Sequence, residues 1–218
     1  MEIYETVVKF FQSGGVFMYP IVLVFALGMA IAVERYLYLS AAQLTNRRLW
    51  RQLQPLLEGG KFDQAVEITR RSQAAIGRIL TYGLSRIESS RRRDDIEKAM
   101  EESLMETLPR LEKRTHYLGT FANIATLLGL LGTVVGLIQA FKAVSGANPA
   151  EKADLLASSI SVAMNTTAFG LIVAIPLLLL HTVLQTKTTE LVDSLEMASV
   201  KFLNAITEKR TASGEGQA

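Results

Sequence analysis

Two threonines, Thr133 and Thr167, are the residues of this 218-residue chain best placed for chemistry. Each lies on a stripe of small residues inside a long stretch that holds no Asp, Glu, Lys or Arg. A threonine in such a helix usually donates its hydroxyl to the carbonyl four residues earlier and does nothing else, an interpretation that applies above all to Thr126 and Thr166. Thr133 and Thr167 are predicted to offer hydroxyl oxygens to a neighbouring polar helix.

The chain lacks the residues that thiolate chemistry, metal binding and carboxylate-based proton transfer within the membrane require. The chain has no cysteine and two histidines, His116 and His181, which excludes thiolate chemistry and leaves too few ligands for a zinc or iron centre. The uncharged stretches hold no carboxylate to carry a proton across a bilayer, so a conducting assembly would need another chain to supply one. Without a candidate dyad we expect neither an enzyme nor a resident cofactor.

Secondary candidates for a polar path are the remaining polar residues of the same stretches, namely Thr126, Asn165, Thr166 and His181. His181 is predicted to lie near the inner interface, where a packed neutral histidine is favoured over a proton relay. The net charge of +2, with acids interleaved among the basic residues, argues against nucleic acid as a partner.

The elements that hold these residues are predicted from charge segregation. All Asp, Glu, Lys and Arg fall outside three stretches, 10–33, 115–141 and 155–186. A soluble domain mixes charged and apolar residues at the period of a helix or strand, so blocks of this length indicate an integral membrane protein of the all-α class. The predicted transmembrane helices cover 16–33, 118–141 and 160–184.

The orientation of the spans follows from the basic residues. Lys and Arg outnumber Asp and Glu in 34–117, whereas Lys142 and Lys152 are the only basic residues of 142–159. The positive-inside rule therefore predicts a cytoplasmic 34–117 and C-terminus and an external N-terminus. A signal peptide is the competing interpretation of the first span, but its flank is not basic. The other predicted segments are an external interface helix over 1–15, an external loop over 142–159, a cytoplasmic helix over 185–209 and a disordered tail over 210–218.

Two long helices are predicted to extend from the membrane into the cytoplasm. An apolar stripe runs from Ile96 to Leu118 without a break, which predicts one helix entering the second span, kinked at most at Pro109. A comparable stripe from Leu184 to Ile206 continues the third span.

Glycines mark the faces on which the second and third spans are predicted to pack. Small residues allow helix backbones to approach closely in lipid. The sequence leaves three uses of this face open: packing within the chain, contact between subunits, or lining of a pore. A phosphate-binding loop is excluded because no strand and no Lys-Ser/Thr pair accompany the glycines. The predicted packing residues are Gly129, Gly132, Gly136, Gly170 and Pro176.

Taken together, these motifs resemble the TolQ/ExbB/MotA proton-channel family. Three spans with a large first cytoplasmic segment are similar to the TolQ/ExbB branch, whereas MotA-type stators have four spans. The motifs that carry the resemblance are Gly14-Gly15 with Met18 and Pro20, Glu34-Arg35, Leu127-Leu-Gly-Leu-Leu-Gly-Thr-Val-Val-Gly136 with Phe141, and Asn165-Thr-Thr-Ala-Phe-Gly-Leu-Ile-Val-Ala-Ile-Pro176.

The resemblance implies a homopentamer in a bacterial inner membrane, with a periplasmic N-terminus and membrane lipid around it. Its pore would hold a dimer of a TolR/ExbD-like protein whose single membrane helix carries an aspartate, and a TonB/TolA-like effector would receive the work. The family's functional threonines fall on Thr133 and Thr167. Where many relatives have a glutamate five residues before the second threonine, this chain has Val162.

Several alternatives stay open at the level of sequence. A non-conducting helical scaffold that positions a partner fits the small-residue stripes equally well. TonB-type uptake, Tol-Pal maintenance, gliding, secretion and defence would all use the same core. The transported ion can be a proton or sodium, with the threonines favouring protons by resemblance.

Overall fold

The computed structural model describes residues 14–89, 92–146 and 148–212, and within these ranges the chain is helical and contains no strand. This confirms the all-α prediction. The interface helix predicted over 1–15 lies almost wholly outside the described residues. The helices are α1 (Met18–Glu58), α2 (Phe62–Arg71), α3 (Ala75–Ser89), α4 (Arg93–Glu112), α5 (Thr115–Ser145) and α6 (Lys152–Ala212).

Three helical segments are long and apolar enough to cross a bilayer, as predicted. They belong to α1, α5 and α6, and their most apolar 18-residue windows have mean hydropathies of 1.8, 2.0 and 2.2. Only 22 to 28% of each window is buried inside the chain, so lipid or other protein must cover most of this apolar surface. The chain is a multi-pass membrane protein.

The described residues form two compact units. The first, here named the span unit, comprises 14–34 and 114–183, and the second, the head unit, comprises 35–113 and 184–212. In the head unit α3 packs on both α2 and α4. A Cβ on Gly83 of α3 would lie 2.9 Å from a ring carbon of the buried Phe202, so α3 and α6 approach each other closely there.

The continuous helix predicted from Ile96 into the second span is wrong. Pro109 stays inside α4, and the interruption falls at Lys113 and Arg114, where Arg114 adopts a left-handed φ of 66°. In an unbroken helix the carbonyl of Leu111 would accept the N–H of Thr115. The buried guanidinium of Arg35 donates to that carbonyl instead.

Two segment boundaries also differ from the sequence-based expectation. The connection between the second and third spans was expected over 142–159, but α5 continues to Ser145 and α6 begins at Lys152. At the other end α6 continues to Ala212, so the first residues of the predicted tail 210–218 are helical, and those beyond 212 lie outside the described residues. Residues on the expected loop can extend a helix because Ala and Lys, as in Lys142-Ala143 and Lys152-Ala153, carry little intrinsic penalty.

Candidate functional site

Backbone contact between α5 and α6 is the basis of the candidate site. A Cβ on Gly170 would lie 2.7 Å from the carbonyl oxygen of Ala125 and 3.1 Å from the Cα of Gly129. A Cβ on Gly129 would in turn lie 3.2 Å from the Cα of Thr167. Distances this short leave no room for a side chain. The two helices therefore cross where each of them carries a glycine.

The same face of α5 stays in contact with α6 beyond the crossing. A Cβ on Gly132 would lie 2.4 Å from the methyl carbon of Thr166, and a Cβ on Gly136 would lie 2.8 Å from the Cβ of Ala163. Of the three uses that the sequence left open, the structure therefore shows packing within the chain.

Thr167 connects the two spans through its hydroxyl. Its Oγ1 donates to the carbonyl oxygen of Gly129 at 2.8 Å, whereas a membrane threonine usually bonds a carbonyl of its own helix. The side chain is half-buried. The bond is possible because the glycines bring the two backbones into contact, so the packing residues and the hydroxyl belong to one arrangement.

Thr133 follows Gly129 by one helical turn and is also half-buried. Its Oγ1 donates to the carbonyl oxygen of Leu130 at 2.6 Å, a bond within α5. Both hydroxyl protons are therefore used on backbone carbonyls. A hydroxyl oxygen has two lone pairs, so each threonine can still accept a hydrogen bond from a donor such as a protonated carboxyl group.

The other two threonines differ from each other. Thr126 is exposed and donates to the carbonyl of Ala122 at 3.1 Å, the local bond expected of it. Thr166 is buried, and its Oγ1 lies within hydrogen-bond distance of the carbonyls of Val162 on its own helix and of Gly14 before α1. Thr166 therefore joins the third span to the start of the first.

The turn before α1 is a part of this site that chemistry-based reasoning missed. Gly15 adopts a positive φ of 75°, which glycine reaches without steric cost. A Cβ placed on it would lie 3.3 Å from a methyl carbon of Val162 on α6. The Gly14-Gly15 pair was the available signal in the sequence.

The remaining candidates take structural positions in the span unit. Asn165 and Pro176 are half-buried on α6, which continues as a helix through the proline. The half-buried ring of His181 lies beside Gly119, where a Cβ would be 3.6 Å from the imidazole. Over residues 14–89, 92–146 and 148–212, no three His, Asp or Glu side chains are grouped so that they could hold a metal ion.

Charged residues directly after the first span were not predicted to have a structural role. Arg35 is 3% exposed, donates to the carbonyl of Leu111, and lies 4.8 Å over the ring of Tyr38. Glu34 forms an exposed ion pair with Arg114 at 3.1 Å. The signal for Arg35 was the abrupt return of charge at the end of an uncharged stretch.

Three apolar helical segments, two of which cross on glycines beside half-buried threonines, define a helical multi-pass membrane protein with polar groups at its span contacts. Residues 71–197 match the profile of the MotA/TolQ/ExbB proton channel family, and the chain belongs to this family. The matched region includes Thr133 and Thr167, so it covers the whole crossing of α5 and α6.

Individual relatives carry names from the same family. An ExbB homolog of Methanothermobacter thermautotrophicus is 28% identical over 199 residues, covering 90% of this chain and 69% of that protein. The biopolymer transport protein ExbB-like 1 of Synechocystis is 33% identical over 188 residues, covering 84% of this chain and 72% of that protein. The Tol-Pal system protein TolQ of Haemophilus influenzae is 33% identical over 110 residues, covering 50% of this chain and 46% of that protein.

Proposed function

We propose that this chain is the channel subunit of a proton-driven motor in a bacterial inner membrane. With a TolR/ExbD-like partner it would convert proton motive force into mechanical work on a TonB/TolA-like effector. The family assignment supports a channel subunit, and the relatives' names, biopolymer transport and Tol-Pal, support work in the cell envelope.

The observation that carries the proposal is the pair of hydroxyl oxygens on spans without any carboxylate. Thr133 and Thr167 have donated their protons to backbone carbonyls, so their oxygens are acceptors. A protonated aspartate on a partner helix could donate to such an oxygen, whereas burying its charged form without donors is costly. The site thus favours the neutral carboxyl, and rotation of a hydroxyl away from its carbonyl would supply a donor to the ionised form.

The assembly we propose is a homopentamer around a dimer of the partner. The glycine face is used within the chain, so subunits would meet lipid, each other and the partner through the exposed apolar side chains of α5 and α6. The orientation has an external N-terminus and a cytoplasmic head unit, in keeping with the excess of basic residues in 34–117. The exposed apolar side chains of α5 and α6 include Leu127, Leu130, Val134, Ile138, Met164, Ile172, Ile175 and Leu179.

Partner dependence of proton flux tests the proposal. Liposomes would contain the chain alone, the chain with its TolR/ExbD-like partner, or the chain with a partner whose membrane aspartate is replaced by asparagine. A pH-sensitive dye follows dissipation of an imposed gradient. We expect flux only with the unmodified partner, because the spans of this chain carry no carboxylate and the hydroxyls of Thr133 and Thr167 do not ionise near neutral pH. Equal flux from the chain alone would contradict the proposal.

A non-conducting scaffold is the second candidate. It is favoured by one observation, that both threonine hydroxyls are already satisfied by backbone carbonyls. If the chain is a scaffold, the partner and its asparagine variant would bind the chain with equal affinity. No combination of chain and partner would then dissipate the gradient.

A further inference from the structure

A cavity in the head unit lies where α1, the start of α3 and the end of α4 meet. Its volume is about 290 Å³. Arg78 of α3 and Arg110 of α4 both line it, together with Tyr38 and Gln73, and no Asp or Glu is among the lining residues. Two exposed arginines from different helices therefore line one cavity whose lining contains no carboxylate.

The acids near Arg110 along the chain do not change this balance. Glu106, one turn earlier on α4, lines a separate groove with Glu101, Glu102 and Lys98. The ion pairs Arg71–Glu67 and Arg114–Glu34 do not involve a residue of the cavity. Within the part of the chain that the structure describes, neither Arg78 nor Arg110 forms an ion pair.

The surrounding backbone and side chains add to the positive potential. Arg78 lies at the start of α3, where the helix dipole disfavours a cation, and the first turn of α3 holds no acid. The guanidinium of Arg35 lies over the ring of Tyr38, which lines the cavity. Asn46 accepts the N–H of Ile76 through Oδ1, and its buried Nδ2 has no acceptor among the described residues. Asn46 lies one residue from the lining residue Thr45, so this unpartnered donor is close in sequence to the cavity wall.

The hydroxyls that line the cavity carry no charge that could balance the two arginines. Thr45 donates to the carbonyl of Ala41 at 2.8 Å, and the buried Thr107 donates to the carbonyl of Ser103 at 2.9 Å. Each of these bonds lies within one helix and uses the hydroxyl proton, so the two oxygens remain as neutral acceptors only.

We propose that this cavity binds a phosphate group through Arg78 and Arg110. Planar guanidinium groups form bidentate, charge-assisted hydrogen bonds with phosphate oxygens, so two arginines on one cavity can bind a phosphate group. A volume of 290 Å³ equals that of about ten liquid waters, enough for a phosphate and its ester atoms. Tyr38 lies five residues after the predicted end of the first span, about 7.5 Å along the helix. A lipid headgroup of the cytoplasmic leaflet and a soluble phosphate ester share this chemistry.

Binding of two probes to the full-length protein tests the proposal. Inorganic phosphate would be titrated by calorimetry into detergent-solubilised protein, and lipid retention would be counted by native mass spectrometry from nanodiscs of phosphatidylglycerol or phosphatidylcholine. Arg78→Gln and Arg110→Gln are the test variants, and Arg110→Lys keeps the charge but loses the fork of donors. Arg51→Gln, at an exposed arginine of α1 outside the cavity, is the matched control.

We expect Arg78→Gln and Arg110→Gln to bind the probe at least about tenfold more weakly than wild type. The affinity of Arg110→Lys should lie between that of Arg110→Gln and that of wild type, and the affinity of Arg51→Gln should equal that of wild type. Loss of phosphate binding assigns the site to a soluble ligand, and loss of retained phosphatidylglycerol assigns it to a lipid. Binding of neither probe, or equal binding by all five proteins, would overturn the proposal. Unchanged far-ultraviolet circular dichroism of the variants excludes loss of fold as the cause.

Discussion

At the scale of single residues, the hydroxyl of Thr167 and the glycines around it form one structural unit. The sequence predicts that Thr126 bonds locally and that Thr167 has a special position on a small-residue face, since both follow from spacing. It does not predict that Gly129 supplies the acceptor for Thr167, because the relative register of two helices depends on packing between residues distant in the chain. The carbonyl of Gly14 beside Thr166 was hidden for the same reason.

Replacing Gly170 by alanine should destabilise the span unit. The new Cβ would meet the carbonyl oxygen of Ala125 at 2.7 Å, a backbone atom that cannot move aside without separating α5 from α6. Overpacking of this kind costs roughly 1 to 3 kcal/mol. Thermal unfolding in detergent measures the loss.

Gly119→Ala is the control for this prediction, because its Cβ would make an ordinary contact of 3.6 Å with His181. We expect an unfolding midpoint close to that of wild type. Equal stability of Gly170→Ala and Gly119→Ala would show that the helices do not cross at these glycines.

At the scale of secondary-structure elements, the sequence correctly predicts helices but not where α4 gives way to α5. The apolar stripe from Ile96 to Leu118 is unbroken, and Pro109 was the only visible candidate for a kink. The break at Arg114 depends on a contact with Arg35, which lies 76 positions before Leu111 in the chain. A local pattern cannot reveal an acceptor taken by a distant guanidinium.

Arg35→Gln should therefore destabilise the head unit. It removes a buried donor and leaves the carbonyl of Leu111 without its partner, and hydrogen bonds to charged groups contribute about 1.5 to 3 kcal/mol. Denaturant unfolding followed by the fluorescence of Trp50, the only tryptophan of the chain, measures the change.

Arg47→Gln is the matched control, since Arg47 is an exposed arginine of the same helix. Surface substitutions of this kind stay within about 0.5 kcal/mol of wild type. If both variants lost the same stability, the contact between Arg35 and Leu111 would not hold the end of α4.

At the scale of the whole molecule, charge segregation alone predicts three spans, because a helix of a soluble domain carries charged residues on its outer face and these blocks carry none. The division into two units was not predicted, since α1 and α6 each continue through the boundary without a sequence signal for a linker. The pentamer and the partner stay predictions from family membership, because the structure of a single chain does not show contacts with other chains.

The predicted orientation can be tested by cysteine labelling, because the chain has no native cysteine. Ser145→Cys lies at the exposed end of α5, and Ser85→Cys lies on an exposed position of α3. A membrane-impermeant maleimide should label Ser145→Cys in intact cells and Ser85→Cys only after permeabilisation. Labelling of Ser85→Cys from outside would reverse the topology.

The most direct test of the central claim, that the two hydroxyls form part of the proton path, is proton flux through threonine variants with the partner present. Thr133→Val and Thr167→Val remove the hydroxyl at nearly constant volume, and Thr120→Val, an exposed threonine bonded to its own helix, is the control. Liposome flux should fall tenfold or more in either test variant, since losing the hydroxyl donor to the ionised carboxylate costs about 1.5 to 3 kcal/mol. Flux in Thr120→Val should stay at the wild-type level. Wild-type flux in the double variant of Thr133 and Thr167, with partner binding intact, would contradict the account.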